Sequence, residues 1–182
     1  MKRIFIAIEL PDAVKKEVYK LVEKLRKFSW PVTWEPVEKM HITLRFLGDV
    51  TDQELASVDV LLHSVSRKIA PFDISIKNFV AYPNFKFPHA IGLKITDNAE
   101  LNNLHSLIAR PLNEQGIGKP DKHQFSGHVT IGRLKPVYAN FRALTTITCA
   151  SQFTASSIEL VASVLKPNGS EYTILTSYPF RG

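Results

Sequence analysis

His41-Ile42-Thr43-Leu44-Arg45-Phe46-Leu47-Gly48 and His128-Val129-Thr130-Ile131-Gly132-Arg133-Leu134-Lys135 are two versions of one pattern, and how it lies in a strand decides how the chain is read. Alternate side chains of a β-strand share a face. His41, Thr43 and Arg45 are therefore expected on one side, with Ile42, Leu44 and Phe46 on the other. In the second stretch His128, Thr130 and Gly132 share a face opposite Val129 and Ile131. Strict alternation turns Arg133 away from that face unless the strand twists or bulges. Each strand thus offers imidazole and hydroxyl on one side and aliphatic groups to a core on the other.

Working outward, residues 3–9 read as a strand that ends in Glu9-Leu10-Pro11-Asp12, with Asp12 as the expected N-cap of a helix over 13–28. Val14, Val18, Leu21, Val22 and Leu25 give that helix one apolar stripe. Residues 32–35 read as a short strand ahead of the first motif. After it, Thr51 and Glu54 form the signature of a capping box opening a second helix. Strands over 72–81 and 90–95 flank a loop with two prolines. A third helix around 101–115 stops at Gly116 and Gly118. Residues 157–165 and 171–178 read as a hairpin around Pro167-Asn168-Gly169. No element is assigned over 138–152. The order indicates an α+β domain made of two similar halves, each carrying one His-x-Thr-x strand.

The chain has 182 residues, 45% of them hydrophobic and 22% charged, enough to bury a single core, and no linker divides it. No apolar run approaches the roughly 18 residues that span a bilayer. The apolar start stops at Glu9, too short for an export signal, so a cytoplasmic protein with no membrane partner is expected. Cys149 is the only cysteine, which leaves no internal disulfide and no cysteine-cluster zinc site; the role of a small buried hydrophobe is expected for it. A formal charge of +6 favours an anionic partner, nucleic acid being the commonest.

Two histidines with near-neutral pKa values can divide the work of cleaving a phosphodiester without a metal. One activates the incoming oxygen and the other protonates the leaving oxygen. Thr43 and Thr130 could donate hydrogen bonds to phosphate oxygens as charge builds there, and Arg45 could add positive charge. A two-histidine metal site is the competing idea. Neither histidine has a carboxylate two residues away, and threonine is a poor zinc ligand, so no metal is expected. His63, His89, His105 and His123 are read as structural or solvated.

These residues resemble the 2H phosphoesterase superfamily, in particular its RNA 2′,3′-cyclic phosphodiesterase branch, also called 2′-5′ RNA ligase. Arg3-Ile4-Phe5-Ile6-Ala7-Ile8 with Leu10-Pro11, Trp34, the two motifs, Phe125, Ser163-x-Leu165 and Gly169-x-x-Tyr172 carry the resemblance over nearly the whole chain. It implies one bilobal domain over 1–182, with pseudo-twofold symmetry, antiparallel sheets flanking a central cleft, and helices outside. It also implies hydrolysis of RNA ends bearing a 2′,3′-cyclic phosphate to 2′-phosphomonoesters, with some reverse 2′-5′ joining; a monomer without cofactor is expected. His41 would be the proton donor and His128 the acceptor. Arg133 matches the arginine that follows the second motif, and Phe5 could stack on a base. Gly127 departs from the proline usual before the second histidine, and residues 118–125 depart from the usual loop. A phosphodiesterase for another cyclic phosphate, or a non-catalytic RNA binder keeping the fold, stays open.

Overall fold

The computed structural model describes residues 1–120, 123–134, 141, 144, 147, 149–167 and 169–182. Within these, nine strands and three α-helices follow the chain in the order β1 (Lys2–Glu9), α1 (Asp12–Arg26), β2 (Val32–Trp34), β3 (His41–Val50), α2 (Asp52–Ser66), β4 (Phe72–Tyr82), β5 (Ala90–Ile95), α3 (Ala99–Glu114), β6 (His128–Leu134), β7 (Ala150–Ala155), β8 (Ser157–Lys166) and β9 (Gly169–Pro179). A 3-10 turn, Val37–Lys39, leads into β3. Among the described residues no helix is long and apolar enough to cross a membrane.

The helices form where their apolar spacing and end residues direct. α1 buries Val14, Val18, Leu21, Val22 and Leu25, the stripe expected from sequence. Its cap differs from expectation: Pro11 holds the capping position without a side-chain bond, and Asp12 lies in the first turn. There its carboxylate meets the positive end of the helix dipole instead of closing it. At α2 the capping box forms as expected. Thr51 Oγ1 accepts from the Glu54 amide at 3.2 Å, and the Thr51 amide donates to Glu54 Oε2 at 2.6 Å. α3 is capped by Asn98, whose Oδ1 accepts from the Leu101 amide at 2.7 Å, and it unwinds into Gly116 at φ +68°.

The strands join into one sheet in the order β7-β4-β5-β6-β3-β1-β8-β9, with β2 added to β6 and every pairing antiparallel. At its middle β3 and β6 share one residue pair, Ile42 with Val129. On either side the arrangement repeats: β1-α1-β3 in one half matches β5-α3-β6 in the other, with β8 and β4 as the next strands out. The two similar halves expected from sequence are there, but they are not contiguous along the chain: β8 and β9 complete the half that β1 begins. β1 needs a hydrogen-bonding partner on the edge that β3 leaves open. It takes β8, from the far end of the chain, through Ile4–Ala162, Phe5–Val161, Ile6–Leu160 and Ala7–Glu159. β7, on the β4 edge, begins inside the unassigned stretch 138–152 and runs beyond its end; Asn168 in the hairpin turn lies outside the described residues.

One face of the sheet carries the core. Ile4, Ile6 and Ile8 of β1, Ile42 and Leu44 of β3, and Val129 and Ile131 of β6 are all buried there with the helix stripes. Cys149 packs against this core, part-buried. On the other face lies a much smaller apolar group, Phe5, Ala7 and Val161, joined by Tyr172. The sheet therefore has one face committed to packing and one left for a cleft.

Candidate active site

Both motif strands begin as alternation requires, with Ile42, Leu44, Val129 and Ile131 buried and His41, Thr43, His128 and Thr130 half-exposed. Antiparallel pairing at Ile42 and Val129 brings the four residues flanking that pair side by side on the opposite face, each histidine beside the other strand's threonine.

Beyond the threonines both strands break step at the same place. In β3, Ala7 pairs with Thr43 but Ile6 pairs with Arg45, so Leu44 is an extra residue. In β6, Gly92 pairs with Thr130 but Ile91 pairs with Gly132, so Ile131 is extra. A one-residue bulge reverses the facing of everything after it. Arg45 turns into the core and is 1% exposed, while Phe46 turns to the cleft and is 45% exposed. In β6 the same bulge buries Gly132 and swings Arg133 into the cleft.

The expectation that Arg45 serves a substrate is thereby corrected. Its Nη2 donates to Asn113 Oδ1 at 2.5 Å and to the Lys119 carbonyl at 2.9 Å, fastening β3 to the end of α3 and the loop after it. The placement of Phe5 is corrected too. It borders the cleft but is only 4% exposed, with its ring stacked on His41 at 4.7 Å between centroids and Tyr172 edge-on at 5.1 Å. Phe5 forms a wall behind His41 and offers no open platform for a base.

The two imidazoles are held alike. His41 Nδ1–H donates to the Lys39 carbonyl at 2.7 Å, and His128 Nδ1–H donates to the Ser126 carbonyl at 2.9 Å. A carbonyl can only accept, so each Nδ1 keeps its hydrogen and Nε2 is left for chemistry. His41 Nε2 lies 3.1 Å from the Thr43 hydroxyl. Burial pushes both histidines below their ordinary pKa, opposed in each case by the carbonyl at Nδ1. Charges then divide them. Glu9 and Glu35 favour a proton on His41, whereas Arg133 disfavours one on either ring.

The cleft has a volume of about 540 Å³ and is bounded by β1, β3, β6, the β2 segment and the β8–β9 hairpin. Arg3, Lys39 and Arg133 bring cations to it, and Glu35 brings a carboxylate. The Arg3 guanidinium sits 4.7 Å over the Phe46 ring. His128 stands beside this lining, its ring 4.5 Å from that of Tyr82. Gly92 on β5 lets that strand lie close against β6 beside the histidine: an added Cβ would come 2.8 Å from the Val129 carbonyl oxygen. Among the described residues no group of three or more His, Cys, Asp or Glu side chains is placed to hold a metal ion.

Glu35, Phe46 and Tyr82 are site residues that sequence reasoning passed over. Phe46 carried a signal, being the one large apolar side chain of its motif that a bulge would expose. Glu35 reaches the cleft only because β2 pairs with β6, Thr33 opposite Arg133 and Trp34 opposite Gly132. His123 is exposed and does not border the cleft, and His105 stacks on Phe125 at 4.1 Å. The Gly127 departure has a packing reason: a Cβ there would lie 2.8 Å from Leu101 Cδ2.

The sequence profile of LigT-like phosphoesterases matches residues 8–91. An RNA 2′,3′-cyclic phosphodiesterase of Thermotoga maritima is 29% identical over 99% of this chain and 96% of its own length. That of Archaeoglobus fulgidus is 30% identical over 93% of this chain and 96% of its own. In three dimensions the crystal structure of TT0787 from Thermus thermophilus superposes with a TM-score of 0.85 and 26% identity, covering 99% of this chain and 98% of that one. End-to-end kinship of this order, on a sheet that sets two His-x-Thr-x strands side by side, places the chain in the LigT-like phosphoesterase family of the 2H superfamily.

Proposed function

We propose that this protein hydrolyses 2′,3′-cyclic phosphate ends of RNA to 2′-phosphomonoesters, using His41 as acid and His128 as base. The observation that carries the reading is the matched pair of imidazoles on one face, each locked by a backbone carbonyl at Nδ1 with Nε2 left for the reaction. His128 Nε2 takes a proton from water as its oxygen attacks phosphorus. The bond from phosphorus to the 3′-oxygen breaks, and His41 gives its Nε2 proton to that oxygen. The carboxylates of Glu9 and Glu35 support His41 as the protonated partner, and the nearby Arg133 supports a neutral His128. Thr43, Thr130 and Arg133 steady the phosphate oxygens as charge grows on them, a role supported by their lining the same cleft. Phe46, exposed beneath Arg3, takes over from Phe5 as the aromatic group for a base. A 5′-hydroxyl in place of water would give a 2′-5′ linkage by the same proton transfers.

The test is incubation with a short RNA ending in a 2′,3′-cyclic phosphate, followed by identification of the product. A 2′-phosphate end, a bell-shaped pH profile and turnover unchanged by excess EDTA are expected. A 3′-phosphate would reverse the bond broken, strong metal dependence would refute the two-histidine chemistry, and RNA binding without turnover would leave a non-catalytic binder. A panel of other cyclic phosphates in the same assay defines the substrate.

A further inference from the structure

A carboxylate in a cleft built for a phosphate is at first sight misplaced, since it repels the substrate. Glu35 is nevertheless set there firmly. Its amide donates to the carbonyl of Ile131, the bulged residue of β6, at 3.0 Å. Its Oε1 accepts from Arg133 Nε at 2.8 Å, and its side chain is 22% exposed against 62% for Arg133. The same backbone hydrogen bond therefore locates Glu35 and the bulge that turns Arg133 into the cleft.

We propose that Glu35 is a positioning residue for the phosphodiesterase reaction: it grips Arg133 by Nε, leaving the terminal nitrogens for the phosphate, and balances the arginine's charge beside His41. The inference rests on the two-histidine reading above. Arginine has five N–H donors in a fixed planar fork, so a carboxylate held on Nε orients the other four without consuming them. An exposed pair of this kind adds little to stability, which leaves geometry and charge as its main effects.

The charges around His41 make the second effect specific. Glu9, paired with Lys15 at 2.8 Å, faces it from β1, with Arg3 further along that strand. Lys39 stands on the 3-10 turn, its Nζ donating to the Ser170 carbonyl at 2.7 Å. Arg133 approaches from β6, and Tyr172 lies edge-on from β9. Glu9 and Glu35 are the carboxylates that favour a proton on His41, whereas the charge that bears on His128 is that of Arg133.

Glu35→Gln keeps an oxygen for Arg133 Nε and removes the charge; Glu35→Ala removes both. With a 2′,3′-cyclic mononucleotide as substrate, Glu35→Ala is expected to lower kcat about tenfold with KM changed much less, an effect of the size of one misplaced charged donor. Glu35→Gln is expected to keep most of kcat at the optimum. The alkaline limb of its pH profile should move to lower pH, because His41 loses its proton more readily, while the acid limb set by His128 stays. Following the His41 and His128 ring protons by NMR titration reads the same effect without turnover: the His41 midpoint falls in Glu35→Gln and the His128 midpoint is unmoved. Unchanged kcat and pH profile in both variants, or a higher kcat/KM in Glu35→Ala, would overturn the proposal. An unmoved His41 titration would overturn its charge-balancing part even in a protein that shows no turnover, whereas absence of wild-type turnover on its own counts against the phosphodiesterase reading.

Discussion

β3 and β6 are built to one plan and equipped differently. Each runs histidine, buried aliphatic, threonine, bulged aliphatic, then an inward and an outward residue. The inward residue is Arg45 in β3 and Gly132 in β6, and the outward one is Phe46 in β3 and Arg133 in β6. The repeated frame supplies the paired imidazoles and hydroxyls. The two positions after each bulge break the symmetry, putting an aromatic on one side of the cleft and a cation on the other. The proposed substrate is itself unsymmetrical, with a flat base at one end and an anion at the other, as are the two walls of the cleft. The carboxylates sharpen the difference further, because Glu9 and Glu35 favour a proton on His41 while Arg133 is the charge that bears on His128.

Breaking the shared part should cost most. His41→Ala and His128→Ala are each expected to reduce kcat at least about a thousandfold on a cyclic mononucleotide, and the double variant little further, since the two act as one unit. Thermal melting should stay close to wild type, both rings being partly exposed on the cleft face. If either single variant keeps a tenth of wild-type activity, the pair does not share the chemistry.

The outward positions come next. Arg133→Phe, which gives β6 the aromatic of β3, should lower kcat about a hundredfold by removing the cation that β6 brings to the cleft. Phe46→Ala should act more weakly, by about tenfold, and mainly through KM. Equal losses in kcat from the two variants would mean that the strands are not specialised as their outward residues indicate.

The inward positions should affect stability more than turnover. Arg45→Met strands Asn113 and the Lys119 carbonyl without their donor and is expected to cost about 2–4 kcal/mol in denaturant unfolding. Gly132→Ala would drive a Cβ to 2.4 Å from Val32 Cγ1, pushing β2 off β6. A cost of about 1–3 kcal/mol is expected, with some loss of activity because Glu35 rides on β2. Arg45→Met with normal stability and lost turnover would return Arg45 to the cleft.

Much of this was readable from residues in order along the chain. The helix stripes, the Thr51–Glu54 capping box, the β8–β9 hairpin and the facing of His41, Thr43, His128 and Thr130 follow from local periodicity and end chemistry, which depend on neighbours a few residues away. Phe5 is covered by His41 and Tyr172, which come from other strands, and the misplacement of Arg45 has a different cause. A bulge is a mismatch between a strand and its partner, and β3 bulges against β1 and β6 against β5, so neither strand's own sequence records it.

What the sequence by itself determined is the chemistry on offer: two imidazoles and two hydroxyls, each on a strand with an aliphatic back. Tertiary structure decided which cation and which aromatic face the cleft, and that Glu35, Arg133 and His41 meet at all. Those outcomes hang on register and on contacts between distant segments, β2 with β6 and β1 with β8, which hydrogen bonding across the sheet settles only once the chain has folded.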